Sequence, residues 1–381
     1  MTDVVTRKVC LLGFGNVGRR LCELVARMDD ELARRHGLRL RFVAVGTGSH
    51  GSIAGGAGLS AAEVLEIAGA SPTTLFPEPS RPGAELIAAG GADVLVEATP
   101  LDPHGGRAAI AHIEAALAAG ADVVTVNKGP IAWDYRRLAA LATARERRLL
   151  FEGTVMDGCP VFDLFRSCLP GCRLLGFDAV FNSTTNFILD AMGEGVGYAD
   201  ALAQVQAAGY AETDPTHDID GHDAAAKTAA LASVLMDTAI TPDDVAKDTI
   251  RGVTAERVAA VRAAGCRLRV VCSAGQRGEA IAEPGAAADS GTAATAAAGG
   301  DLSPDGSGEP REPAARRVRP PVVRLTELEP DHPLYAAGGS TLSVLLHTDL
   351  MGTVQVAEHG ALPEQTAYAV YADLLSLHEG R

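Results

Sequence analysis

Five carboxylates, Glu212, Asp214, Asp218, Asp220 and Asp223, crowd the turn-forming stretch Gly209-Tyr210-Ala211-Glu212-Thr213-Asp214-Pro215-Thr216-His217-Asp218-Ile219-Asp220-Gly221-His222-Asp223, which runs on through three alanines to Lys227. Carboxylates packed this closely repel one another unless they bind something positive, cap a helix or stay solvated. The lysine suggests that the stretch surrounds a small charged molecule. In a helix starting at Gly221, Asp223 and Lys227 are four residues apart and share a face, so the acid can hold and tune the amine. As a solvated surface pair they would contribute only about 0.3–0.5 kcal/mol. The flanking Ala224, Ala225, Ala226, Ala229 and Ala230 favour a closely packed helix and a functional pair instead. Asp214 and Asp220 read as helix-capping or solvated.

A second constellation lies near the N-terminus. The apolar run Lys8-Val9-Cys10-Leu11-Leu12 is followed by Gly13-Phe14-Gly15-Asn16-Val17-Gly18 and then by a helical pattern of Val17, Leu21, Leu24 and Val25. This strand, turn and helix places G-x-G-x-x-G in the context of a Rossmann dinucleotide site. Gly13 allows the tight turn, Gly15 lets a pyrophosphate approach the backbone, and Gly18 lets the helix pack on the strand. Asn16 and Val17 open the helix whose free N–H groups face the phosphates. After the second strand, Leu40–Val45, the sequence Gly46-Thr47-Gly48-Ser49-His50-Gly51 has no acid to bond a ribose 2′-hydroxyl. Its small donors, with Arg19 or Arg20 nearby, lean to NADP and leave NAD open.

The elements that must position these groups follow in order. Asp93–Thr99 is a buried-strand pattern ending at Thr99, on the carboxyl edge where such sheets bind ligands. A helix spans Gly106–Ala119, a strand Asp122–Val126, and Asn127-Lys128 stands at that strand's carboxyl end, with Lys128 beside the expected nicotinamide. A helix over Asp134–Arg147 leads to Leu149–Val155 and closes a first domain near residue 153. The strand Arg173–Phe181 opens the second. At its end Thr184 and Thr185 either cap the next helix or bind ligand while capping it. From about Gly275 to Pro320 the composition of Ala, Gly, Pro and Ser has no apolar periodicity and reads as a disordered insertion. Strands resume after it, and a last helix covers about Pro363 to His378, with nothing beyond it that reads as a regulatory domain.

A chain of 381 residues accommodates two cores. Its net charge of −15, with no basic run, argues against nucleic-acid and anionic-membrane partners and for a small substrate. Neither a signal-peptide pattern nor a long uninterrupted apolar stretch is present, so a cytoplasmic location is expected. The seven cysteines form no CxxC pair and read as reduced, mostly buried small hydrophobes.

Together these residues resemble the homoserine dehydrogenase family, particularly its short members. The resemblance covers nearly everything except the insertion. It is carried by the glycine turn, Asn127-Lys128-Gly129-Pro130, Phe151-Glu152-Gly153-Thr154-Val155, Ser183-Thr184-Thr185-Asn186-Phe187-Ile188-Leu189, Gly209-Tyr210-Ala211-Glu212-Thr213-Asp214-Pro215 with Asp218, Gly221, Asp223 and Lys227, and Gln365-Thr366-Ala367. It departs at Ser183, where the family usually has Gly, and at Ala357–Leu362, where a G-x-G-A-G element is usual.

The resemblance implies an α/β protein with an N-terminal Rossmann domain, 1–153, and an α+β substrate-binding and dimerisation domain, 154–381, interrupted at about 275–320. It implies NAD(P)H-dependent interconversion of L-aspartate 4-semialdehyde and L-homoserine, on the route to threonine, isoleucine and methionine, in a homodimer. Lys128 and Lys227 match active-site lysines, and Glu212 and Asp223 match acids that bind substrate or support catalysis. Tyr210, Thr184 and Asp218 fall on substrate-pocket positions. Glu152, Val155, Asp157 and Cys159 fall where some members bind Na+ or K+, chiefly through main-chain carbonyls. For such a reduction Lys227 suits the proton donor, Asp223 its tuning acid and Glu212 the partner of the substrate ammonium. The competing readings are another NAD(P)-dependent dehydrogenase of a small amino acid or semialdehyde, and a dinucleotide sensor that has lost the chemistry.

Overall fold

The computed structural model describes residues 4–70, 75–102, 104–211, 214–276 and 318–380. The first sheet contains β1 (Val5–Leu12), β2 (Leu38–Gly46), β3 (Ser52–Leu59), β4 (Val94–Glu97), β5 (Asp122–Thr125) and β6 (Leu149–Leu150), in the order β3-β2-β1-β4-β5-β6. All pairs are parallel except β2 with β3. This is the doubly wound order expected from the glycine turn. The apolar runs are buried on both faces: Val9, Leu11 and Val96 belong to one core, Cys10, Leu12 and Leu95 to the other. The glycine-rich β3 gives no alternating pattern in the sequence and forms only by pairing along the edge of β2.

The second sheet is formed by β7 (Leu174–Val180), β8 (Ala246–Lys247), β9 (Arg267–Gln276), β10 (Val318–Leu328), β11 (Leu342–Thr348) and β12 (Thr353–Glu358), in the order β12-β11-β7-β9-β10-β8. It is antiparallel except where β8 meets β10. One face packs on the helices Ser183–Gly193, His222–Leu235 and Ala255–Ala263. Val318 pairs with Gln276 and Arg319 with Gly275, so the ends of the expected insertion at about 275–320 are paired strand. Residues 277–317 lie outside the described residues. Of the cysteines, Cys10, Cys22 and Cys272 are buried, and burial pushes their thiols up to about 12. Cys159, Cys172 and Cys266 are half-buried and Cys168 is exposed, so fewer are buried than expected; all seven are free. Among the described residues no helix is long and apolar enough to cross a membrane.

The last helix, Pro363–Glu379, returns to the first sheet. Its Ala367, Val370, Leu374 and Leu377 join the core formed by Val9, Leu11 and the helix Asn16–Glu31. On its inner side the buried Asp373 accepts the Glu152 N–H at 3.1 Å, while the two Glu152 carboxylate oxygens accept the N–H groups of Phe162 and Asp163 at 2.8 and 2.9 Å. Burial, then the Glu152 charge, pushes Asp373 up to about 8, and burial pushes Glu152 up to about 7. In the unfolded chain both titrate near pH ~4. The native state therefore binds more protons between about pH 4 and 8, and its stability falls as pH rises through that window. Asp373→Asn keeps an acceptor for the Glu152 N–H and is expected to flatten this decline. Thermal melts at about pH 5, 7 and 9 check it, and a pH slope equal to that of the wild type would exclude the buried pair as its source.

Candidate functional site

Gly13 has φ 98° and lies so close to β4 that an added Cβ would stand 2.2 Å from the Ala98 carbonyl oxygen. A Cβ on Gly18 would stand 2.2 Å from the Gly13 carbonyl oxygen, so the helix can sit on the turn only without a side chain there. Gly15 differs: nothing in the protein lies within 4 Å of its added Cβ. It borders a cleft of about 1000 Å³ whose walls include Gly13, Asn16, Val17, Thr99, Asn127, Lys128 and, from the second domain's helix, Lys227. Thr47, Gly48, Ser49 and His50 line the far end, without an acid. The Arg19 guanidinium lies over the Phe14 ring, 5.3 Å from its centroid.

Lys128 is the first residue of the helix Lys128–Ala144, capped by Asn127, whose side chain accepts the Gly129 N–H at 3.0 Å. The helix expected from Asp134 thus starts six residues earlier, with non-helical torsions at Asp134. The helix His222–Leu235, with Ala224, Ala225 and Ala226 buried, packs against it. This packing places Lys128 Nζ 2.9 Å from Asp223 Oδ1, while Lys227 Nζ stands 3.4 Å from Asp223 Oδ2. Lys227 also donates to the Phe181 carbonyl at 2.9 Å, at the end of β7. The Asn182 amide donates to Asp218 Oδ1 at 2.6 Å and to Asp223 Oδ2 at 3.2 Å.

Burial opposes charge on Asp223, but Lys128 and Lys227 outweigh it and hold the carboxyl well below the usual carboxylate range. Burial likewise opposes the Lys227 ammonium, which Asp223, Asp157 and Asp218 nevertheless favour, so its pKa is raised. Burial, then the Asp223 charge, raises Asp218. The arrangement is a pair of ammonium groups bridged by one carboxylate, open to a cleft wide enough for a dinucleotide.

The other expected residues separate by position. The Thr184 hydroxyl donates to the Tyr210 carbonyl at 2.9 Å and the Thr185 hydroxyl to the Asn182 carbonyl at 3.1 Å. The helix cap is Asn182, which accepts the Thr185 N–H at 2.8 Å, rather than either threonine. The half-exposed Tyr210 ring packs on Phe187, 4.2 Å between centroids. Glu212 lies outside the described residues. Asp214 accepts the Thr216 N–H, and Asp220 pairs with Arg251 at 2.6 Å, both as local structure. Asn182 and Thr366 were missed as site residues. The cap chemistry of Asn182 could have signalled it, whereas Thr366 reaches the cleft only through the return of the last helix.

For the expected cation residues, both Glu152 carboxylate oxygens are engaged and the Cys159 carbonyl accepts the Val161 N–H at 2.9 Å. Asp157, at φ 44°, accepts the Thr366 hydroxyl at 2.9 Å, beside Val155 in the cleft wall. Among the described residues no group of three or more His, Cys, Asp or Glu side chains could hold a metal, so a cation there would depend on main-chain carbonyls.

A doubly wound sheet, a glycine turn and a lysine-lined cleft at the strands' carboxyl ends define an NAD(P)-dependent oxidoreductase. The family description "Homoserine dehydrogenase, NAD binding domain" matches residues 13–152 and "Homoserine dehydrogenase" residues 160–375. The chain is 33% identical over 379 residues to the NAD(+)-dependent homoserine dehydrogenase of Pseudomonas canavaninivorans, covering 98% of this chain and 96% of that one. It is 32% identical to the homoserine dehydrogenase of Mycobacterium leprae, over 100% of this chain and 74% of that one. The crystal structure of a putative homoserine dehydrogenase from Archaeoglobus fulgidus superposes with TM-score 0.76 at 26% identity, covering 98% and 99% of the two chains. The chain belongs to the homoserine dehydrogenase family.

The glycines allow the cofactor turn to be tested apart from folding. Gly15→Ala is expected to melt like the wild type but to bind NAD(P)H at least about tenfold more weakly, because its methyl enters the cleft. Gly13→Ala, strained at positive φ against β4, is expected to lose about 1–3 kcal/mol of stability. Unimpaired cofactor binding by Gly15→Ala in a fluorescence titration would place the pyrophosphate elsewhere.

Proposed function

We propose that Lys227 is the proton donor and acceptor of the homoserine dehydrogenase reaction, that Asp223 holds it, and that Lys128 binds substrate or cofactor beside it. Bound NAD(P)H supplies the hydride to the aldehyde carbon of L-aspartate 4-semialdehyde. The carbonyl oxygen then carries developing negative charge, which the Lys227 ammonium stabilises and protonates to give the alcohol. In homoserine oxidation the neutral Lys227 amine takes the hydroxyl proton. The observation that carries this reading is Asp223 standing between both ammonium groups at the cleft. Tyr210, Thr184, Asp218 and Glu212 belong to the same proposal as substrate residues, with Glu212 pairing the ammonium of the amino acid.

The cofactor is proposed to be either nicotinamide dinucleotide. The end of β2 has no acid to repel a 2′-phosphate, which supports the lean to NADP, while the relative from Pseudomonas is named for NAD(+). Initial rates of homoserine oxidation, measured with NAD and NADP side by side, are expected to show turnover with both. In Lys227→Ala both rates should fall about 10²–10⁴-fold with cofactor binding retained. Normal turnover by this variant would refute the proton role.

The division near residue 153 and a cytoplasmic location are proposed from the sequence, with the last helix joining the first domain's core. A Na+ or K+ site on the carbonyls of Glu152, Val155, Asp157 and Cys159 rests on the resemblance and on the tight turn at Asp157. We also propose a homodimer through the second domain. Its edge strand β12 has alternate residues exposed, and the turn before it presents Leu350 and Met351, 71% and 59% exposed. Sedimentation is expected to give twice the chain mass of 39.2 kDa, and a monomer at all concentrations would exclude the dimer.

A further inference from the structure

The cleft has a charged back wall that none of these roles uses. Glu97, the last residue of β4, is 0% exposed and lies directly behind Ala98 and Thr99 of the wall. Its Oε1 accepts the Thr99 hydroxyl and, at 3.3 Å, the Thr99 N–H; its Oε2 accepts the Thr125 hydroxyl at 3.3 Å. Among the described residues no lysine or arginine pairs with it. The nearest group able to carry positive charge is His112, with Nδ1 3.5 Å from Glu97 Oε1. That nitrogen is buried without a hydrogen-bond partner, and His112 itself faces the cleft.

A carboxylate buried on neutral hydroxyls and amides, without a lysine or arginine beside it, is an expensive arrangement. It becomes favourable when positive charge arrives from outside. The oxidised nicotinamide ring is a cation and the reduced ring is neutral, so a carboxylate behind the ring that carries its charge when the cation binds discriminates between them. We propose that Glu97 is the counter-charge of the oxidised nicotinamide, holding NAD(P)+ in the cleft more tightly relative to NAD(P)H than the rest of the wall would. This rests on the ring lying against Thr99 and Asn127, at the carboxyl ends of β4 and β5 where doubly wound sheets bind ligands.

Glu97 is also a brace, and the two roles separate by charge. The Thr99 carbonyl accepts the Asn127 amide at 3.1 Å, and Asn127 caps the helix that begins with Lys128. Glu97→Gln keeps the shape and one acceptor for Thr99, and its NH2 can donate to the Thr125 hydroxyl oxygen, so the brace is retained; the counter-charge needs the negative charge, which it removes.

The test is the dissociation constant of each redox form without substrate, by calorimetry or fluorescence titration, for wild type and Glu97→Gln. The ratio of the oxidised to the reduced constant is expected to rise about tenfold in the variant, the order expected for unit charges within ~10 Å in a partly dry cleft. An unchanged ratio overturns the proposal, whatever happens to turnover. If Glu97→Gln does not fold, Glu97→Asp decides. It keeps the negative charge and withdraws the brace, so the ratio is expected to stay near that of the wild type; a rise of the size expected for the glutamine variant would show that the brace sets the ratio and overturns the proposal. A wild type that binds neither redox form would instead refute the cleft as the cofactor site, a different failure from an unchanged ratio.

Discussion

Asp223 joins helices that flank two different sheets. Its carboxylate lies 2.9 Å from Lys128 at the head of a helix flanking the first sheet, and 3.4 Å from Lys227 on its own helix in the second domain. Two ammonium groups brought this close would repel without an acid between them, and a lone buried carboxylate there would favour taking up a proton. Each charge is tolerated because the others are present. Removing one partner from such a buried arrangement typically costs about 3–5 kcal/mol, a large fraction of a typical stability of ~5–15 kcal/mol. The ion pairs at the cleft therefore also contribute to holding the two domains in register.

The helix that carries Asp223 is built largely of alanine. Ala224, Ala225, Ala226, Ala229 and Ala230 are all buried in the helix His222–Leu235, which packs against the helix Lys128–Ala144. Larger side chains between the helices would separate them and lengthen the Lys128–Asp223 pair, leaving the pair with Lys227 intact within its own helix, in addition to the ~1–3 kcal/mol of strain usual for an overfilled core. The fixed groups around the pair are equally short-reaching: Asn182 bridges Asp218 and Asp223, and the Phe181 carbonyl receives Lys227.

Much of this was legible in the sequence because it is local. The glycine turn, the β4 and β5 runs ending in Thr99 and Asn127, and the i,i+4 spacing of Asp223 and Lys227 each follow from neighbours in the chain. Dependence on distant partners hid the rest. The Gly-rich β3 forms only against β2, and the last helix looks like the end of the second domain yet completes the core of the first. The start of the lysine helix at residue 128 was missed because Asp134 interrupts its torsions and Asn127 caps it from the preceding strand end. The threonines after β7 looked like caps, but Asn182 immediately before Ser183 takes that role and frees the Thr184 hydroxyl for the Tyr210 carbonyl.

The acid-rich stretch that first marked this chain is several sites with different electrostatics. Asp220 lies on the surface, where the Arg251 guanidinium, helped by the Thr249 hydroxyl, lowers its pKa against the opposing effect of its slight burial. Asp218 lies deeper, where burial and the Asp223 charge raise its pKa. Asp223, five residues on, is held low because the two lysines outweigh its burial. Spacing in the chain is nearly uniform across the three, so it carries no information about these differences. What separates them is the group that each one meets: Arg251 for Asp220, Asn182 for Asp218 and two lysines for Asp223. A carboxylate cluster in a sequence therefore indicates that charge must be accommodated, while the fold decides which acid meets a cation, which meets solvent and which is left close to the substrate.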